Sequence, residues 1–123
     1  MTSIKSFHDL EIWKLSHQLV LEVYKISKMF PKEENFRITS QLLRAAYSIP
    51  SNIAEGMGRY TRKEFVNFLT IARGSVEECK YFILPVKDLG YLPEIMFTEL
   101  TSKYDSLGKT INSLINSLKR KPA

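Results

Sequence analysis

One cysteine, one tryptophan and two histidines are all that this 123-residue chain offers of the residue types that most often build catalytic, metal or disulfide chemistry. A single thiol, Cys79, cannot close an internal disulfide, and such usage fits a reducing, cytoplasmic setting. His8 and His17 stand nine positions apart. That spacing supplies neither the four-residue metal pair of a helical HExxH nor the Glu-x-x-His pair of a metal site inside a bundle, so no metal and no cofactor is expected. Gly-rich phosphate loops and the GxSxG nucleophile elbow are both missing. Glu77 and Glu78 are adjacent, and adjacent helical residues point about 100° apart, so they cannot grip one substrate together. The expectation is a protein that is not an enzyme. No apolar run approaches the roughly 20 residues that cross a bilayer. The opening MTSIKSFHDLEIW lacks the basic, then apolar, then small-residue order of a secretory signal, so no membrane partner is expected. Five glycines and five prolines leave no Gly/Ser-rich linker. One domain over 1–123 is expected, with a short lead at 1–6 and a basic tail at 119–123.

What is present is helical periodicity. An apolar fraction of 44% and a charged fraction of 25% are those of a folded globular chain. No period-two alternation flanked by turn dipeptides occurs, which excludes a sheet. The first segment, from His8 to Met29, carries two stripes at spacings of three and four, Leu10–Trp13–His17–Val20–Tyr24 and Ile12–Leu15–Leu19–Val23–Ile26. Phe30-Pro31 stops it, because proline disfavours helical geometry in the residue before it. A second helix is predicted over Glu34 to Met57, closed by Gly58 in left-handed geometry. The third starts at the capping box Thr61-Arg62-Lys63-Glu64, in which hydroxyl and carboxylate each satisfy a backbone N–H. Its stripe runs through Phe65, Phe68, Leu69, Ala72, Val76, Cys79, Ile83 and Val86, which reads Cys79 as an inert core thiol, and Pro85 bends or ends it. Gly90 closes that helix and Pro93 opens the fourth. There Phe97, Leu100, Tyr104, Leu107, Ile111, Leu114 and Leu118 keep a heptad seam. The fold class expected is all-α, an antiparallel up-down-up-down four-helix bundle.

Ser40 to Arg59 reads as a helix with two unlike faces. Ile38, Leu42, Ala45, Ala46, Ile49, Ile53, Gly56 and Met57 make the core side, while Arg44, Ser48, Ser51, Asn52, Glu55 and Arg59 form a polar ladder. Between them lies a second apolar strip, Leu43, Tyr47, Pro50 and Ala54, which a lone bundle does not need. Two neighbours for one helix imply self-assembly. Pro50 has no N–H for the Ala46 carbonyl, which leaves Ser48, Ser51 and Asn52 as local donors, unless their side chains face a neighbouring protomer. Arg73 and Glu77, four apart on the third helix, together with Arg44 and Glu55 read either as a solvated face or as a network between helices or protomers.

The formal net charge is +5. In an up-down-up-down bundle one end gathers Lys5, Arg59, Arg62, Lys63, Lys119, Arg120 and Lys121 against Asp9, Glu55 and Glu64. The other end holds Lys28, Lys32, Arg37 and Lys87 against Glu33, Glu34, Asp88, Glu94 and Glu99. Positive charge thus collects at one pole, beside Tyr60, whose ring can stack on a base. RNA or DNA held through phosphates is one reading of that pole, and frayed, solvated ends are the other.

The chain resembles the four-helix-bundle proteins encoded within intervening sequences of bacterial large-subunit ribosomal RNA genes. The resemblance rests on Phe7-His8-Asp9-Leu10, Trp13, Tyr24 and Phe30-Pro31, on Gln41-Leu42 and Arg44-Ala45-Ala46, and on the run Ser48-Ile49-Pro50-Ser51-Asn52-Ile53-Ala54-Glu55-Gly56 with Gly58-Arg59. Glu64-Phe65, Phe68-Leu69, Ala72-Arg73-Gly74-Ser75, Glu77-Glu78 and Leu89-Gly90-Tyr91-Leu92 extend it over about nine-tenths of the chain. It implies a left-handed antiparallel bundle that closes into a ring, typically a homopentamer. The chain is similar as well to the accessory protein of diversity-generating retroelements, a basic pentameric barrel. That likeness implies nucleic acid, and a reverse transcriptase or another protein, as partners. The rival to nucleic-acid binding is a scaffold ring whose Leu43–Tyr47–Pro50–Ala54 strip recruits a protein.

Overall fold

The computed structural model describes residues 6–7 and 10–120. Four α-helices carry nearly all of them: α1 (Glu11–Ser27), α2 (Ile38–Met57), α3 (Arg62–Asp88) and α4 (Glu94–Arg120). No strand occurs among the described residues. α1 packs on α2, α2 on α3 and α3 on α4, with α1 meeting α4 more lightly to complete a four-helix bundle. The inward stripes meet in one core whose fully buried side chains include Leu42, Ile49, Ile53, Leu69, Ile83, Tyr104, Leu107 and Ile111.

Helix boundaries follow what each end can bury or bond. α1 starts at Glu11 and not at His8, because Leu10 is extended (φ −82°, ψ 128°) and already buried; His8 lies outside the described residues. The segment expected to open α2 at Glu34 forms a single 3-10 turn, Lys32–Glu34. Asn35, Phe36 and Arg37 are all exposed, Phe36 at 97%, so no burial supports a longer helix there. The turn is instead pinned sideways: Tyr91 Oη donates to Glu34 Oε2 at 2.8 Å, and the Tyr91 ring lies 6.2 Å from that of buried Phe30.

At the far end of α2, Gly58 has φ −77°, so the left-handed closure expected there is absent. The chain leaves through tightened backbone bonds, Gly58 N–H to Ala54 and Glu55 carbonyls and Arg59 N–H to that of Gly56, which satisfy the end without reversal. Gly90 does take φ +82°. Tyr91 N–H reaches the Val86 carbonyl at 2.9 Å and Gly90 N–H that of Lys87 at 2.9 Å, the Schellman pattern that requires a left-handed residue between them. Pro85 sits within the last turn of α3, which ends three residues later at Asp88.

Along α4 the buried set is Leu100, Tyr104, Leu107, Ile111 and Ile115, while Phe97, Leu114 and Leu118 are half-buried. The expected heptad seam therefore slips by one residue past Ile111. A straight helix of 3.6 residues per turn drifts about 20° per heptad, and over 27 residues that drift carries Ile115 inward.

Candidate nucleic-acid interface

The α2–α3 junction and the end of α4 build the basic end. Thr61 caps α3: its Oγ1 accepts from Glu64 N–H at 3.1 Å. The reciprocal half of the capping box differs from expectation, because the Glu64 carboxylate accepts a hydrogen bond from the Thr61 hydroxyl (3.0 Å) and not from a backbone N–H. This fixes the first turn of α3 and sends Arg62 and Lys63 outward beside the last turn of α4. Thr61, Arg62, Lys63, Val66, Asn67, Leu118 and Lys119 line a groove of about 700 Å³. Arg59, Tyr60, Gly58 and Glu64 edge a second, smaller groove, and the Tyr60 ring is wholly exposed.

The cations of this end are not equivalent. Arg59 Nη2 binds Glu55 Oε2 at 2.8 Å, and its guanidinium lies 4.8 Å from the centre of the Phe68 ring. Its charge is therefore partly answered within the chain. Lys63, Lys119 and Arg120 are exposed and have no ion-pair partner among the described residues. Lys5, Asp9 and Lys121 lie outside the described residues. Asn67, Val66 and Leu118 escaped the reading of the sequence as groove residues. Asn67 follows Lys63 by four positions, so its place on the same helix face was available from spacing alone.

The second group of candidates centres on α2. Pro50 is buried within its own chain, Leu43 and Ala54 are half-buried, and Tyr47 is 48% exposed. The extra apolar strip thus narrows to Tyr47 at its outer edge. Ser48 Oγ meets Ser75 Oγ of α3 at 2.7 Å. Asn52 Nδ2 donates to the Ser48 carbonyl at 2.8 Å and lies 3.2 Å from Ser48 Oγ. The carbonyl served is Ser48's and not Ala46's: a side chain two residues past the proline reaches back four positions, whereas Ser51 turns outward, exposed. Arg44 is exposed, and Glu55, eleven residues on, pairs with Arg59. On α3, Arg73 Nη1 crosses to Asn112 Oδ1 of α4 at 3.0 Å. Glu77 is 3.4 Å from Lys80, which also binds Asp105 of α4 at 2.6 Å. These polar side chains zip the outer seams of the α2–α3 and α3–α4 contacts.

Other chemistry is sparse. Cys79 is buried, and burial pushes its thiol up to about 12. His17 stacks on Trp13 at 4.9 Å with 10° between ring planes. No group of three or more His, Cys, Asp or Glu converges among the described residues. No described helix is long and apolar enough to cross a membrane.

No curated protein matches the chain. Among solved structures it is similar to a protein of unknown function from the S23 ribosomal protein family of Bacteroides thetaiotaomicron. The two are 22% identical, the match covers 85% of this chain and 97% of that one, and the TM-score is 0.78, a likeness of fold. Residues 8–113 match the family model described as 23S rRNA-intervening sequence protein, and to that family this chain belongs.

Proposed function

We propose that the protein is a binding module, not an enzyme, which assembles with copies of itself and holds RNA or DNA through phosphate contacts without reading sequence. The observation that carries this reading is the convergence of Lys63, on the first turn of α3, and Lys119, on the last turn of α4, at one groove, with Arg120 next to it and Tyr60 bare alongside. Phosphate neutralisation by such exposed cations is strongly salt-dependent and indifferent to base identity. A cytoplasmic setting, where Cys79 stays reduced, suits such a module.

For assembly we favour a ring of five, with the outer face of α2 and the adjoining α3 as contact surface. Half-exposed Tyr47, the Arg44 side chain and the Ser48–Asn52–Ser75 seam supply one apolar anchor and a polar rim. Light scattering at micromolar concentration is expected to give five times the mass of one chain, and the mass of a single chain refutes the ring. Filter binding at a low and a high salt concentration tests the ligand. Tight binding at low salt that disappears when Arg59, Arg62, Lys63, Lys119, Arg120 and Lys121 become Gln supports the reading. Absence of binding at low salt, or indifference to those six changes, ends it.

A further inference from the structure

The basic pole has a shape that phosphate binding alone does not call for, and from it we infer that the α3–α4 groove takes an unpaired nucleotide, so that the protein prefers single-stranded RNA or DNA to duplex. This rests on the nucleic-acid reading above and narrows it. A duplex hides its bases in the stack and offers a convex, charged exterior, for which a row of cations on a flat helix pair suffices. Here the exposed lysines Lys63 and Lys119 share the lining of the groove with Val66, buried, and Leu118, half-buried. Apolar lining gains nothing from a phosphate. It does gain from the flat face of an unstacked base, whose backbone phosphates the lysines can then meet. The volume of about 700 Å³ lies within the range that encloses a ligand of nucleotide size.

Two further details agree with this occupant. Asn67 sits at the groove with its carboxamide exposed and no hydrogen-bond partner among the described residues, so it can both donate to and accept from a base edge. Tyr60, in the connection just before α3, exposes both faces of its ring. A single strand passing over the Thr61 cap can place one base in the groove and stack a neighbour on Tyr60. Of the described acids at this end, Glu55 is paired with Arg59; Glu64 is bonded to the neutral Thr61 hydroxyl and keeps its charge, but it lies on the Tyr60 side and is not part of the α3–α4 groove lining.

Fluorescence anisotropy on the full-length protein tests this at low salt, with one labelled mixed-sequence oligonucleotide used alone and annealed to its complement as a blunt duplex. The expected result is single-strand affinity about tenfold above that of the duplex. Tyr60→Ala and Leu118→Ser should each weaken the single strand several-fold and leave the duplex unchanged, while Lys63→Gln weakens both. Tyr60 touches nothing that a loss of its ring could unfold, and unchanged helical circular dichroism confirms this for Leu118→Ser. Equal affinities, tighter duplex binding, or Tyr60→Ala and Leu118→Ser acting on both forms alike overturns the inference and leaves phosphate binding standing. Failure of both forms to bind at low salt removes the nucleic-acid reading and this inference with it.

Discussion

Cys79 and Tyr104 show how little of the polar chemistry in this chain is turned toward reactivity. The thiol is enclosed by α3 and α4, and burial moves it from 9.0 to about 12. The thiolate is the reactive form, so the folded protein should resist alkylation at mildly alkaline pH and react only on unfolding. The same displacement has a thermodynamic sign. Between about 9 and 12 the folded chain keeps a proton that the unfolded chain has lost, so the stabilisation is complete below the unfolded value and declines through this window. Denaturation midpoints measured across it should fall, and Cys79→Val should make the fall shallower; an unchanged slope places the effect on other groups. Tyr104 is fully buried, and its hydroxyl meets only the Cys79 thiol, a weak partner, with no well-formed hydrogen bond among the described residues. A core hydroxyl so weakly answered is a cost, on the order of 1 kcal/mol. Tyr104→Phe, which keeps the ring, should therefore leave the protein as stable or raise its stability by up to about 1 kcal/mol in urea denaturation. A loss of that size shows instead that the hydroxyl is bonded.

At the scale of the element, the tightest constraint lies where α2 crosses α3. A Cβ on Gly56 would stand 2.6 Å from Phe68 Cβ and 3.1 Å from Phe65 Cδ1, so glycine here permits close approach of two helices. Alanine improves helix propensity by up to about 1 kcal/mol, yet it forces two packed aromatics apart at a cost of about 1–3 kcal/mol. Gly56→Ala should be net destabilising, whereas Gly74→Ala, whose Cβ meets nothing within 4 Å, should be stabilising; thermal melts of the two variants check the contrast. The sequence displayed much of this element-level detail because it is local. The Thr61 cap and the Gly90 reversal need only neighbours within a few positions, and both stand where expected. The start of α2 and the geometry of Gly58 depend on contacts far along the chain. Tyr91 on Glu34 decides the first, and the packing of α3 directly after α2 decides the second. Periodicity also reports which side of a helix is apolar more faithfully than where a long helix drifts, which is how Ile115 was missed in favour of Leu114. For the basic groove, the cations and Tyr60 were legible as charge and spacing. The apolar part of the lining was not, because Leu118 reads as an ordinary core position and Val66 falls outside the expected stripe until the two helix ends are set side by side.

For the whole molecule, symmetry turns a modest patch into a measurable quantity. One bundle presents few unpaired cations at its basic pole, and the duplex phosphates it can neutralise are correspondingly few. In our proposed ring that pole recurs once per protomer. Each phosphate contact contributes about −0.9 to the slope of log affinity against log salt for duplex DNA. Replacing Lys119 by Gln removes one cation from every copy, so the change in slope counts the copies that touch the same nucleic acid. A change of about one unit means that protomers bind singly, each like a monomer. A change of several units means that the poles act together on one ligand. Lys109→Gln supplies the control, because Lys109 lines the α3–α4 surface beside Arg73 and Asn112, away from the pole. If Lys109→Gln lowers the slope as much as Lys119→Gln, the nucleic acid runs along the side of the bundle and the polar site is displaced from where we put it. A slope altered only by Lys119→Gln fixes the contact at the helix ends, with its multiple giving the number of protomers engaged.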